Sequence, residues 1–169
     1  ELYVFFEALS LESSFNTRCI IITGAGHKVF CAGGDLKERN GMSVRKWKTQ
    51  HIIFERMIRS FIGCPVPIIG AINGSAFGGG CEIVAALDFS FAVSSAKFAQ
   101  TEVKLGIIPG IGGTQNLARA IGEKKAKELI LTGDIISAEQ ALNYGLINGI
   151  FSAENLFGEV YAKAKTISS

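Results

Sequence analysis

Histidine is nearly absent: His27 and His51 are the only two in the 169-residue chain, which leaves a serine or cysteine nucleophile few general bases. The four cysteines, Cys19, Cys31, Cys64 and Cys81, form no C-x-x-C pair and have no histidine cluster beside them. That pattern argues against zinc and against a secreted disulfide framework, so a reduced, intracellular chain is expected. Charge is sparse as well. Charged residues make up 19% of the chain and the net charge is +2. Lysines and arginines are interleaved with acids, as in Lys37-Glu38-Arg39 and Glu123-Lys124-Lys125, and no basic and aromatic stripe recommends a nucleic-acid partner. The chain opens on Glu1 with no basic stretch, and Glu7 and Glu12 interrupt its first apolar residues. No signal peptide is expected there, and the sequence reads as beginning inside a larger protein.

One uncharged run, Ser60 to Cys81, is long enough to reach across a bilayer. It contains Pro65, Pro67, Asn73 and six glycines, which an ordinary spanning helix does not tolerate. Buried structure without a membrane span is the expectation. With 48% hydrophobic residues, a chain of this size can bury roughly 70% of its unfolded surface, so residues 1–169 are read as one core domain. Glycine is the abundant residue. There are 20, above the roughly 7% of an average chain, and they fall in clusters that mark close backbone approaches.

Apolar periodicity predicts a helix through Leu2, Phe5, Phe6 and Leu9 and a buried strand over Cys19 to Thr23. Ser43 is placed to cap a helix with Trp47, His51, Phe54, Ile58 and Phe61 or Ile62 on one face, ending before Cys64-Pro65. On that apolar face His51 reads as structural. Val66 to Ile72 and Phe89 to Val93 read as further strands, and Cys81 to Leu87 as a short helix after Gly78-Gly79-Gly80. A glycine-rich loop over Leu105 to Gly113 precedes helices at Thr114 to Ile121, Glu123 to Leu131 and Ser137 to Tyr144. The last carries a capping-box pattern at Ser137 and Gln140 and a left-handed stop at Gly145. A final helix is expected over Asn155 to Ile167. Strands alternate with helices, so the fold class is α/β.

Three glycine motifs fail as signatures. Gly110-Ile111-Gly112-Gly113 has Gln115 where a dinucleotide fingerprint needs glycine, Gly122-Glu123-Lys124-Lys125 lacks P-loop spacing, and Gly74-Ser75-Ala76 has its second glycine displaced to Gly78. What remains is a glycine triplet opening a helix that carries Glu82, and a second acid, Glu102, beyond the next strand. Bare N–H groups at such a helix start can hold a ligand oxygen. The turn Cys31-Ala32-Gly33-Gly34-Asp35 can supply a second donor from an independent element, which makes an oxyanion hole. Singly, each feature has an ordinary role: glycine turns end strands, and a first-turn glutamate complements the helix dipole.

In order along the chain, the segments Phe30-Cys31-Ala32-Gly33-Gly34-Asp35-Leu36-Lys37, Ala71-Ile72-Asn73-Gly74 through Gly78-Gly79-Gly80-Cys81-Glu82, Leu105 to Gln115 and Leu131-Thr132-Gly133-Asp134 resemble those of the enoyl-CoA hydratase/isomerase (crotonase) family. The resemblance implies a spiral of repeated strand-strand-helix units that binds a bent acyl-CoA thioester. It places the thioester oxygen on the amides of Gly34 and Gly79. Glu82 and Glu102 fall on the catalytic carboxylates, Glu102 as principal acid/base and Glu82 positioning water. Ala32, Gly34, Asp35, Leu36, Lys37 and Gly79 fall on the substrate-binding stretch, with Lys37 near a phosphate. Both acids together favour a hydratase over an isomerase. No metal and no cofactor beyond the substrate's coenzyme A is expected.

Relative to the family pattern, the leading strands and the trailing helical region are missing, and those helices serve the acyl pocket and trimer contacts. The family implies a homotrimer or a dimer of trimers, in a bacterial cytoplasm or a mitochondrial matrix. Position 34 holds glycine where many relatives carry alanine. The readings left open are hydration of a 2-enoyl-CoA, isomerisation, hydration of a branched substrate of the methylglutaconyl type, and a non-catalytic acyl-CoA-binding module.

Overall fold

The computed structural model describes residues 16–169; the helix expected over Leu2 to Leu9 lies outside them. Two four-stranded sheets carry the architecture. The first is wholly parallel, in the order β1 (Ile20–Thr23), β3 (Ile68–Ile72), β5 (Phe89–Val93) and β8 (Gly149–Phe151). The second runs β2 (Val29–Cys31), β4 (Ser75–Phe77), β6 (Lys97–Ala99) and β7 (Ile136–Ser137), with only β7 antiparallel. Successive pairs β1/β2, β3/β4 and β5/β6 each give one strand to each sheet before the chain turns helical. This is the repeated strand-strand-helix spiral expected from the sequence.

The helices are α1 (Leu36–Arg39), α2 (Val44–Ile62), α3 (Gly79–Ala86), α4 (Gly113–Ile121), α5 (Glu123–Thr132), α6 (Ala138–Tyr144) and α7 (Leu156–Ser168), with a 3-10 turn at Glu102–Leu105. Their boundaries follow local chemistry. The Ser43 hydroxyl accepts from Lys46 N to start α2, the Ser137/Gln140 capping box starts α6, and Gly145 at φ 86° stops it. The uncharged run from Ser60 to Cys81 becomes the end of α2, then β3 and β4, then the start of α3. Every residue of β3 is buried, as a central parallel strand demands. Among the described residues no helix is long and apolar enough to cross a membrane.

Side chains pin the strand ends. Asn73, just past β3, accepts from Gly24 N at 2.9 Å and donates to Gly24 O and Gly26 O at 2.9 and 2.8 Å, clamping the loop that leads from β1 to β2. Asp88 accepts from Ile68 N at 2.7 Å. Beyond β4 the chain reverses at Gly78, whose φ of 52° and ψ of −122° suit only a residue without a side chain. Gly80 then sits so close to β2 that a β-carbon there would lie 2.0 Å from Cys31 O.

Apolar periodicity alone missed the second sheet. Its strands are two or three residues long, too short to display an alternating pattern. It also found the apolar face of α2 without showing what that face borders. Only Met57, Ile58 and Phe61 are buried there, and Trp47, His51 and Phe54 on the same face line a cavity.

Replacing Gly80 with alanine forces β2 and α3 apart and should cost about 1–3 kcal/mol. By contrast, Gly158→Ala on the open surface of α7, where an added β-carbon meets nothing within 4 Å, should gain about 0.4–1 kcal/mol. Urea denaturation of the two variants checks both signs.

Candidate active site

The close approach of β2 to α3 brings two glycine turns into contact. A β-carbon on Gly33 would lie 3.1 Å from Gly79 N, and one on Gly79 would lie 3.5 Å from Gly33 Cα. Among the backbone hydrogen bonds of the described loops and helix ends, none uses the amide of Gly34 or of Gly79 as donor. Beside them opens a cavity of about 1070 Å³ lined by Gly33, Gly34 and Gly79, by Glu82 and Glu102, by one face of α2 from Trp47 to Ile62, and by the loop Gly106 to Gly112.

Glu82 lies in the first turn of α3 and is 3% exposed. Its Oε1 accepts from Ile111 N and Gly113 N, both at 2.8 Å, so the glycine-rich loop wraps around the acid. Burial pushes its carboxyl above the usual carboxylate range, while the amides of Gly113, Ile111 and Gly110 and the nearby His51 pull the other way. Glu102 begins the 3-10 turn and is 9% exposed. Its Oε1 would lie 3.0 Å from a β-carbon on Gly78, and its Oε2 is buried with no hydrogen-bond partner. Burial raises this carboxyl too. Its own backbone N–H opposes that shift, the charge of Glu82 adds to it, and Arg39 weakens it. The charge of Glu82 thus disfavours ionisation of Glu102.

Four of the residues singled out in the sequence, Gly34, Gly79, Glu82 and Glu102, therefore share one cavity wall. Ala32, Asp35, Leu36 and Lys37 do not line it. They lie exposed on the approach to and along α1, where Asp35 caps the helix by accepting from Lys37 N at 2.8 Å and Glu38 N at 3.3 Å. His51, read as structural, instead faces the cavity, stacked on Trp47 at 5.1 Å and 3.3 Å from Glu55 Oε1. Arg39 was missed because a basic residue at the end of a short polar helix carries no pattern. Its guanidinium turns back over the cavity lining at 5.9 Å from the Phe54 ring. All four cysteines are free thiols, and burial pushes Cys81 up to about 12. Among the described residues no three histidine, cysteine, aspartate or glutamate side chains gather as a metal would require.

The profile of the family described as "Enoyl-CoA hydratase/isomerase" matches residues 2–169. The chain belongs to the enoyl-CoA hydratase/isomerase family. It is 42% identical over 150 residues to the "Crotonyl-CoA hydratase" of Syntrophomonas wolfei, covering 89% of this chain and 58% of that protein. To the human "Methylglutaconyl-CoA hydratase, mitochondrial" it is 42% identical over 155 residues, covering 92% and 46%. The crystal structure of the Bacillus anthracis enoyl-CoA hydratase superposes with a TM-score of 0.94 at 43% identity, covering 99% of this chain and 64% of that one. The expected crotonase-like fold is thus the observed one. The chain spans between 58% and 61% of the length of three bacterial family members it matches.

The raised carboxyl of Glu102 has a stability consequence. Above the ordinary value of 4.5 the unfolded chain releases this proton while the folded chain still holds it. Its contribution is therefore present at low pH and declines as pH rises through the folded value. Glu102→Gln removes that decline. The difference in melting midpoint, variant minus wild type, should grow as pH is raised from 4 towards 8 in a calorimetric series; a flat difference would contradict the assignment.

Proposed function

We propose that the protein adds water across the 2,3 double bond of an enoyl-CoA thioester. The observation that carries this reading is the meeting of two glycine turns beside two buried glutamates on one cavity. In this reading the amides of Gly34 and Gly79 donate to the thioester oxygen. They draw electron density from the double bond, so that the β-carbon accepts an oxygen nucleophile. Losing one such donor typically lowers the rate on the order of 10²–10³-fold.

Water held between the carboxyl groups gives its oxygen to the β-carbon and its proton to the ionised glutamate. The resulting enolate collapses by taking a proton at the α-carbon from the protonated one. The sum is one water added, with hydroxyl on C3 and hydrogen on C2. Glu102 serves as principal acid/base, since its Oε2 is unengaged, and Glu82, held by the loop amides, positions the water. The coenzyme A moiety runs outward over Ala32 to Lys37, whose exposure suits a large polar group, with Lys37 near a phosphate. The chemistry draws on the chain's own groups and the thioester alone. Assembly as a trimer or a dimer of trimers, in a bacterial cytoplasm or mitochondrial matrix, accompanies this reading.

Loss of the conjugated-thioester absorbance of crotonyl-CoA should report turnover. Glu102→Gln should lower kcat by about 10²–10⁴-fold, the usual worth of acid–base assistance, while calorimetry shows acyl-CoA binding retained. Turnover of a 3-enoyl-CoA without hydration would select an isomerase. Binding without turnover in the wild type would select a carrier module.

A further inference from the structure

Gly110 belongs to the loop that fastens Glu82, and the reason it is glycine lies in its neighbour. Its φ is outside the left-handed region, so the backbone conformation does not demand glycine there. A β-carbon at this position would lie 2.8 Å from His51 Cε1, 3.6 Å from Nδ1 and 3.8 Å from Nε2, and these three ring atoms are the nearest it would meet. The loop therefore rests on the edge of the imidazole.

The ring is braced from both directions along α2. One turn earlier it stacks on Trp47, with 5.1 Å between centroids and 6° between planes. One turn later Glu55 Oε1 lies 3.3 Å from its Nε2. Contact then runs without a break from α2 through the loop to α3: His51 bears on Gly110, and the amides of Ile111 and Gly113 hold Glu82 Oε1. Charge follows the same path. His51 is the cation whose field draws the Glu82 carboxyl down, whereas Arg39 does so for Glu102. The loop from Gly106 to Gly113 brings no charged side chain to the ring. On its own helix the ring faces Glu55, whose other oxygen lies 3.9 Å from Arg59. The remaining charged groups on the cavity wall are Arg39, Glu102 and Arg119.

We propose that His51 is a positioning residue for the hydration: braced between Trp47 and Glu55, its ring seats the glycine-rich loop against Glu82, and its protonated form holds that carboxylate ready for the water. This rests on the hydratase reading and adds a dependence on pH to the same site. Histidine is the side chain whose charge ordinarily changes between about pH 5 and 8. A positive ring favours the ionised form of Glu82, so its loss should make the acid side of the rate profile fail at a higher pH.

Two measurements test this, with melting midpoints confirming that each variant folds. In a double-mutant cycle with crotonyl-CoA, Gly110→Ala should lower kcat about tenfold or more in the wild-type background, with little change in KM. In His51→Ala, where the added methyl has room, the same substitution should cost only about twofold. In His51→Gln, the loss of kcat/KM relative to wild type should grow as pH falls from about 8 to 5. The ¹³C resonance of the Glu82 carboxyl, followed without substrate, should titrate at higher pH in His51→Gln than in wild type. Costs that simply multiply in the cycle, or a Glu82 titration unmoved by His51→Gln, overturn the inference and leave the hydratase reading standing if wild type hydrates crotonyl-CoA. A moved titration in a wild type that hydrates no enoyl-CoA overturns the hydratase reading and keeps His51 as the partner of Glu82. An unmoved titration without hydration overturns both.

Discussion

Everything in the cavity depends on how closely the backbone of β2 approaches the first turn of α3. Gly80 touches the carbonyl of Cys31 and Gly33 touches the amide of Gly79, so two turns from separate strand-strand-helix units share one contact surface. No side chain lies between them. The amides of Gly34 and Gly79 are consequently placed by main-chain packing, the stiffest positioning a fold offers. Asn73 fixes the far end of the same arrangement, binding the β1–β2 connection through three hydrogen bonds to backbone atoms.

The acids are handled differently. Glu82 stands in the first turn of α3, where the helix dipole favours its charge, and two loop amides fasten it. Glu102 has burial, its own backbone N–H and the field of its neighbours, with Oε2 left without a partner. The two carboxyl groups are therefore inequivalent although both are pushed upward, and environments that separate two acids are what acid–base chemistry at neutral pH requires. Burying them costs stability, as active-site charges commonly do.

Much of the fold was legible because three of the four strands of the first sheet are apolar and four or five residues long, and because Ser43, Ser137 and Gly145 announce helix ends. The second sheet was not, since no periodicity survives in strands of two or three residues such as β7. Of the site, the glycine turns and both glutamates could be picked out by residue type and order. The cavity wall formed by α2 could not, because Trp47, His51 and Phe54 bear the same apolar spacing whether they face a core or a void. Arg39 was invisible for a related reason: only the return of its side chain across Gly34, which has no β-carbon to obstruct it, brings the guanidinium to the cavity.

The two amides on Glu82 also decide which of its oxygens can carry a hydrogen. Oε1 accepts from Ile111 and Gly113 at 2.8 Å, and a hydroxyl formed on that atom would weaken both bonds that order the loop. Any proton on this carboxyl is therefore favoured on Oε2, giving the group a fixed handedness: one oxygen belongs to the scaffold and the other is left out of it. The orientation of this carboxyl is thereby set by the backbone of a neighbouring loop.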